Sequence, residues 1–578
     1  MNFLSGVRKQ ANLFVQDPIN QIALIFFILQ GFFLLQSIFP TIRDINPWDE
    51  SNYINAGRLF AQGVMTDYEW NPLVSMLYAV AYLILQKSPY WLVQSAAFGR
   101  IVIFILLWWG SFYLAKRLEK YFHPILMAGM LFSTNIYADL FYNSSDSLFA
   151  ALSGLALWKV LSYYETKQTS QIGWASFLIG LAALSRNDGL IIFAVFMVIS
   201  SIFMLRSPEK LKHVLASVVP FVVLTVGYIF IYYLVMGYVL VGTKERAYVA
   251  FQQGQLRTYQ RDSSCEQSTI RCAVLEAQKL YGTPAENDHS IFRAIQRNPQ
   301  AFISRLSYIA KEELPQFIYL AYGKRQAYAI FLLAMLGIYG LIKKRQFALL
   351  SILVAWTTYL GVYFLTFFRI GYLQTPYFIV LSFACIGIHT FVTNIQNQKF
   401  VLAITTILVL ITAVGFWRNL HYLYFDSLVL LTVIAVCFVF QKEKLGTYLA
   451  LSSIFMMAGI LLQQHGPPSM PRYGQLPEDQ AIVLLQEQLP RGTLVASGSP
   501  KILNAAQLEY YNLADIDTNF QTSEELYTFF VSKNIQAIYI DKIALQNEKA
   551  WKLIEPYIGN QYNEIFKAEN DIRILIRK

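Results

Sequence analysis

Apolar runs of about 20 residues recur along most of this 578-residue chain, and no other feature constrains its fold as strongly. Thirteen spans are read from them, at 20–39, 95–115, 122–142, 146–163, 172–186, 189–205, 214–236, 327–342, 347–368, 373–394, 400–417, 424–440 and 446–463. Only 14% of the residues are charged, against 56% hydrophobic. Ordinary soluble domains carry about 25% charged residues, so this composition cannot cover a water-facing surface. Disorder, a polar repeat solenoid and a single soluble enzyme are excluded, and a mainly α, polytopic membrane protein is expected. The first span follows Arg8 and Lys9 without a small-residue cleavage site and reads as an uncleaved anchor.

The formal charge of +10 is explained by the loops rather than by nucleic acid. With the N-terminus cytoplasmic, the alternate loops hold Lys116, Arg117 and Lys120; Lys167; Arg206, Lys210 and Lys212; Lys343, Lys344 and Arg345; Lys399; and Lys442 with Lys444. This is the positive-inside pattern, and shifting the count by one span breaks it. The plasma membrane of a bacterium is the expected location. Three large pieces then face outward: 40–94, 237–326 and the tail. The chain divides into a transmembrane domain, 1–463, and an extracytoplasmic α/β domain, 464–578, entered through Gly466-Pro467-Pro468-Ser469-Met470-Pro471. Strands are expected at 492–498 and 535–541, with helices at 523–534 and 545–558. At roughly 100 residues the tail is large enough to fold alone.

Neither a G-x-x-x-x-G-K-[ST] loop nor a G-x-G-x-x-G after a strand occurs, which argues against a pump driven by cytosolic ATP. Of the four cysteines, Cys385 and Cys437 lie in apolar runs, whereas Cys265 and Cys272 share a polar outer loop and can pair if that side is oxidising. The histidines at 123, 213, 289, 389, 421 and 465 show no metal-site spacing. A divalent cation held by carboxylates such as Asp49 and Asp146 is neither required nor excluded.

The informative stretch is INPWDESNYINAGRLFAQG, 45–63. Asp49 is placed to cap a helix beginning at Glu50, and Gly63 to end it. Tyr53, Ala56, Gly57 and Phe60 share one face of that helix. The segment NPLVSMLYAVAYLIL, 71–85, is apolar but too short to span, and is read as interfacial or re-entrant. Asp49 and Glu50 have two readings: acidic residues at a helix N-terminus, or a general base held at the headgroup layer.

This order of elements, from about 20 to 400, resembles the membrane glycosyltransferases of the GT-C fold. It is most similar to the protein O-mannosyltransferase and aminoarabinose transferase superfamily, glycosyltransferase family 39 and its relatives. The resemblance implies an inverting transfer of a sugar from a polyprenyl phosphate to an acceptor hydroxyl at the outer face. The acceptor, whether glycan, lipid or protein, is left open. It implies Asp49 as catalytic base, with Glu50 as its partner, and Asp146 in YNSSDSLFA as a second acidic residue. Arg186 and Asp188 in LAALSRNDGLIIF stand where the family has an Arg-Pro-Glu segment, with Asn187 and Asp188 replacing Pro and Glu. Arg369 in FFRIGYLQTPYF stands near the family's Arg-Tyr, here interrupted by Gly371. Arg369, Arg186, Lys244 and Arg246 are the candidates for the donor phosphate, and Tyr53, Asp188 and Tyr372 for positioning sugar or acceptor. Each has a plainer reading: Asp146 as a helix cap, Arg186 with Asp188 as an interfacial pair, Arg369 as an interfacial anchor, and Lys244 with Arg246 as solvated loop charge. A transporter, flippase or polymerase for lipid-linked glycans is the alternative, and a non-enzymatic assembly factor a third reading.

Overall fold

A computed structural model describes residues 28, 31–32, 34–66, 72–118, 144–204, 208–238, 244–260, 269–321, 327–358, 360–368, 370–374, 376–394, 397–417, 473–513, 520–545, 548–568 and 571–578. After a short helical turn at Leu35–Ile38, the first loop folds into α1 (Asp49–Ala61) and α2 (Pro72–Leu85). The helices α3 (Trp91–Arg117), α4 (Ser144–Thr166), α5 (Thr169–Ser185), α6 (Gly189–Met204) and α7 (Lys210–Met236) follow. The second loop forms α8 (Lys244–Gln253), α9 (Thr269–Tyr281), α10 (Ile291–Arg297), α11 (Pro299–Tyr308) and α12 (Leu314–Ala321). Then come α13 (Ala327–Lys343), α14 (Phe347–Thr357), α15 (Leu360–Leu365), α16 (Ile370–Gln374), α17 (Tyr377–Asn394) and α18 (Gln398–Trp417).

Two helices among the described residues are long and apolar enough to cross a membrane by themselves, Trp91–Leu114 and Lys210–Met236. The 27 residues of α7 reach about 40 Å at 1.5 Å per residue, more than the hydrocarbon core of a bilayer. Its outward face carries Val223, Phe230 and Leu234, each about 60% exposed, a surface suited to lipid. Pro220 lies inside it, and the next amide, Phe221 N, donates to Ser176 Oγ of α5 at 3.2 Å. The helices α4, α5, α13 and α18 cover the spans expected at 146–163, 327–342 and 400–417 and most of that at 172–186. The span read at 347–368 is divided between α14 and α15, and that at 373–394 is interrupted before Pro376. The spans at 122–142, 424–440 and 446–463 lie outside the described residues.

The helices meet through small residues. A Cβ on Gly337 would lie 1.9 Å from Phe383 O, and one on Gly387 would lie 1.8 Å from Leu333 O, so α13 and α17 touch backbone to backbone. The segments read as outer connections share one end of the bundle. There α1 and α2 pack on the start of α3, Arg186 reaches Asp146, and Arg257 Nε donates to Phe368 O at 3.0 Å. At the opposite end Arg117 pairs with Glu165 at 2.9 Å, Tyr163 meets His213 at 3.1 Å, and Lys343 Nζ donates to Asn394 at 2.6 Å.

The tail runs α19 (Pro477–Gln488), β1 (Leu494–Ser497), α20 (Lys501–Ala506), β2 (Glu509–Asn512), α21 (Ser523–Ser532), β3 (Ala537–Ile540), α22 (Lys542–Leu545), α23 (Glu548–Ile554), β4 (Tyr562–Lys567) and β5 (Arg573–Arg577). Its sheet order is β2-β1-β3-β5-β4. Strands β2, β1 and β3 are parallel, joined by helical crossovers, and β5 and β4 add as an antiparallel hairpin. All four residues of β3 are buried, which is why 535–541 reads as a continuous apolar run. The strands β2, β4 and β5 and the helices α19 and α20 are additions to the sequence reading; the helix expected at 545–558 is divided among α22, α23 and a 3-10 turn. One face of the sheet shares a core with the first loop and α3, through Val495, Ile502, Leu503 and Trp91. The other face has its own core, including Leu526, Phe530 and Ile538.

The backbone contact at Gly387 yields a contrasted pair of substitutions. Gly387→Ala should destabilise the protein by about 1–3 kcal/mol, because α13 and α17 must separate. Gly227→Ala, on α7 with nothing within 4 Å, should be neutral or stabilising by up to about 1 kcal/mol. Thermal melts in detergent test this; equal midpoints for the two variants would contradict the packing.

Candidate active site

The site is built outward from the first loop. Pro47 and Trp48 turn the chain into α1, and Asn46 Oδ1 accepts from Trp48 N at 2.9 Å and from Asp49 N at 3.1 Å. This corrects the expected start: α1 begins at Asp49, and Asn46, not Asp49, supplies the capping oxygen. The Asp49 carboxylate lies at the positive end of the helix. Gly63, at φ 78°, ends the helix as expected, its amide donating to Phe60 O.

Glu50 points the other way. It is fully buried and ion-paired to Arg100 of α3, at 2.8 Å from Nη2 and 3.3 Å from Nε. Arg100 also donates to Ser37 O at 2.7 Å and to Asp44 O at 3.1 Å, so one guanidinium ties both ends of the 37–50 segment to α3. Burial raises the Glu50 carboxyl above the ordinary carboxylate range, and the Arg100 charge opposes that. This geometry gives Glu50 a structural place behind Asp49. Arg100 was not singled out in the sequence, where it reads as one more charge near the start of a span.

Tyr78 of α2 lies between this pair and α4. Its hydroxyl is buried in the neighbourhood of Glu50 and Ser144 without a hydrogen bond to either, and Ser144 opens the helix turn that carries Asp146. The ring is seated by two glycines: a Cβ would lie 2.5 Å from Tyr78 Cβ at Gly57, and 2.6 Å from the ring at Gly99. Tyr53, one turn beyond Asp49, is 5% exposed and belongs to the same core.

Four expected residues and one unexpected one form a second cluster. Arg186 is ion-paired with Asp146 and, at 2.7 Å, with Asp188. Its guanidinium lies 5.3 Å above the Tyr372 ring, and Tyr372 stacks on Tyr363 with centroids 3.6 Å apart. The Tyr363 hydroxyl bonds to Asp188 and lies 3.2 Å from Arg186 Nη2. Tyr363 was missed because it lies in an apolar span. A hydroxyl 175 residues from its carboxylate leaves no local signal.

Arg186 was expected among the phosphate ligands, yet it is one cation set between two carboxylates, and a phosphate would have to compete with both. The Arg369 position lies outside the described residues, between buried Phe368 and α16. Lys244 and Arg246 fall on the first turn of α8, and their side chains are not described. Cys272 is disulfide-bonded, while Cys265 lies outside the described residues. Among the described residues no group of three His, Cys, Asp or Glu side chains is placed to hold a metal ion.

The fold of this chain is similar to that of solved structures of the GT-C fold. ArnT from Cupriavidus metallidurans, solved bound to undecaprenyl phosphate, is similar over 98% of this chain and 98% of its own, at 11% identity and a TM-score of 0.53. The same protein in the apo state matches over 99% of this chain and 98% of its own, at 12% identity and a TM-score of 0.52. The archaeal oligosaccharyltransferase AglB from Archaeoglobus fulgidus matches over 98% of this chain and 75% of its own, at 12% identity and a TM-score of 0.49. No protein-family model and no curated protein matches the chain.

Arg100→Met strands the Glu50 carboxyl in the core and should cost about 3–5 kcal/mol. The double variant Glu50→Leu with Arg100→Met should be more stable than Arg100→Met alone, since no buried charge is left unpaired. Melting of both variants in detergent checks this; a double variant less stable than the single would reject the pair as an isolated buried couple.

Proposed function

We propose that this chain is an inverting glycosyltransferase that takes a sugar from a polyprenyl-phosphate donor and places it on an acceptor hydroxyl at the outer membrane face. The observation that carries the reading is the N-terminal turn of α1. Asn46 caps it, the Glu50–Arg100 pair anchors it, and Asp49 is left half-exposed at the bundle end. The likeness of fold to ArnT, a protein solved with undecaprenyl phosphate, supports a polyprenyl-phosphate carrier.

Asp49 is assigned as general base. It takes the acceptor's O–H proton as that oxygen attacks the anomeric carbon. The carbon–oxygen bond to the phosphate breaks on the opposite face, and the polyprenyl phosphate leaves with the bonding electrons. A single displacement of this kind inverts the anomeric configuration and passes through an oxocarbenium-like transition state. Asp146 and Asp188 hold Arg186 over the Tyr372 ring, and the Tyr363–Tyr372 stack is assigned to sugar or acceptor positioning. Positive charge for the leaving phosphate is assigned to Arg369, Lys244 and Arg246, since a guanidinium presents several donors to phosphate oxygens.

Asp49→Asn should lower turnover by about 10²–10⁴-fold without lowering the melting temperature. The donor class is found by titrating the wild type and Asp49→Asn with a panel of polyprenyl-phosphate sugars and following thermal stability, since ligands of the native state raise it. A donor that stabilises both proteins, turned over by the wild type alone, is the expected result. Full turnover by Asp49→Asn would remove Asp49 as base. Stabilisation by lipid-linked oligosaccharide alone would move the assignment to a polymerase or flippase. Arg369→Gln should raise the apparent Kd for undecaprenyl phosphate about tenfold, equal to about 1.4 kcal/mol. An unchanged Kd would reject Arg369 as a phosphate ligand.

A further inference from the structure

The tail domain is joined to the residues on both sides of Asp49, and helix α20 makes most of the contacts. Its residues Ile502 to Ala506 are all buried, although the sheet covers only one side of a helix. The rest is covered by α19 of the tail together with α1 and the start of α3. Within that covered face lies a polar side chain, Asn504, only 4% exposed. A buried amide without partners is costly, and its partners here are on the helix that carries Asp49. Asn504 Nδ2 donates to Asn52 Oδ1 at 2.9 Å and lies 3.5 Å from Ser51 Oγ.

On the other flank of Asp49, Lys501 Nζ donates to Ile45 O at 3.4 Å. The Trp48 ring, next to Asp49 in the chain, meets Tyr510 of β2 edge-on with centroids 6.0 Å apart. Arg43 forms a two-pronged bond to Glu478 of α19, at 2.7 and 2.9 Å. Below these, the fully buried Trp91 donates Nε1–H to Ala505 O at 3.0 Å, so α20 is fastened to α3 as well. Residues 43, 45, 48, 51 and 52 thus all bond or stack against the tail. A domain that only needed attachment would be served by the apolar core that already joins it to the bundle.

We infer that the tail is a working part of the active-site framework: Asn504 and Lys501 are positioning residues that hold the N-terminal turn of α1, and with it Asp49, in one orientation. The inference rests on Asp49 being the base. Its physical logic is that a carboxylate on a turn with only one anchored face rocks about the Glu50–Arg100 pair. The tail contacts remove that freedom from the opposite side. A misplacement of about 1 Å at a base can cost about a hundredfold in rate.

Two measurements on the full-length protein in detergent separate this inference from the reading on which it rests. The first is hydrogen exchange, which needs no substrate. Asn504→Ala and Lys501→Met should each speed exchange of amides 49–56 by about tenfold, while β1 and β3 keep wild-type protection. Unchanged exchange at 49–56 in both variants would overturn the inference, whatever Asp49 does. The second is turnover of undecaprenyl-phosphate sugars. Asn504→Ala should lower kcat about tenfold to a hundredfold, with the donor KM within about twofold of wild type. In the Asp49→Asn background the same change should add nothing, because both variants act through one group. Full additivity in that cycle would overturn the positioning role and leave Asn504 with a docking role alone. Faster exchange at 49–56 together with a fully active Asp49→Asn would instead remove Asp49 as base while the clamp on α1 stands. Lost protection in β1 or β3 of Asn504→Ala would mean a damaged tail, and Lys501→Met then decides.

Discussion

The buried ion pair between Glu50 and Arg100 is the constraint to which the outer end of this protein is built. Two opposite charges removed from water need good geometry and further hydrogen bonds to offset the cost of burial. Arg100 meets that demand by bonding to the backbone at Ser37 and Asp44 as well as to Glu50. The requirement therefore sets the path of the chain as it enters the first loop and the angle at which α1 leaves it. The acidic residue beside Glu50 inherits a fixed position. Asn46 takes over the capping of α1.

Around this anchor the site is assembled from widely separated segments. Tyr78 packs the first loop together with α3, and glycines at 57 and 99 make room for its ring. From Asp146 the connection passes to Arg186 and Asp188, then to the stacked pair Tyr363 and Tyr372. Two charged units thus lie at one end of a bundle whose lateral faces are apolar. The first offers a carboxylate on a rigid turn. The second holds a guanidinium already satisfied by carboxylates. In the proposed function the first unit transfers the proton, the second positions the substrate, and cations elsewhere take the phosphate.

The tail changes in meaning between sequence and structure. Its length and its alternation of strand and helix read as an independent domain. In the folded protein one sheet face is completed by residues of the first loop and α3, so half of its core is shared. A polar residue such as Asn504, in the middle of a buried helix, would be a defect in an isolated domain. Against Asn52 it is a satisfied contact.

The sequence alone determined what depends on local composition and periodicity. Apolar runs marked the helices, Gly63 the end of α1, and the run at 535–541 the central strand β3 of the tail. The WDE stretch marked the candidate base, because an acidic pair opening an amphipathic helix is a local pattern. Tertiary structure decided what depends on pairing across the chain: that Glu50 belongs to Arg100, that Arg186 is neutralised, that Tyr363 joins the site, and that α20 grips α1. The reason is that a helix or turn draws its signal from neighbours within a few residues. A buried charge or amide draws its energy from a partner 50 or 452 residues away, whose identity no local pattern records.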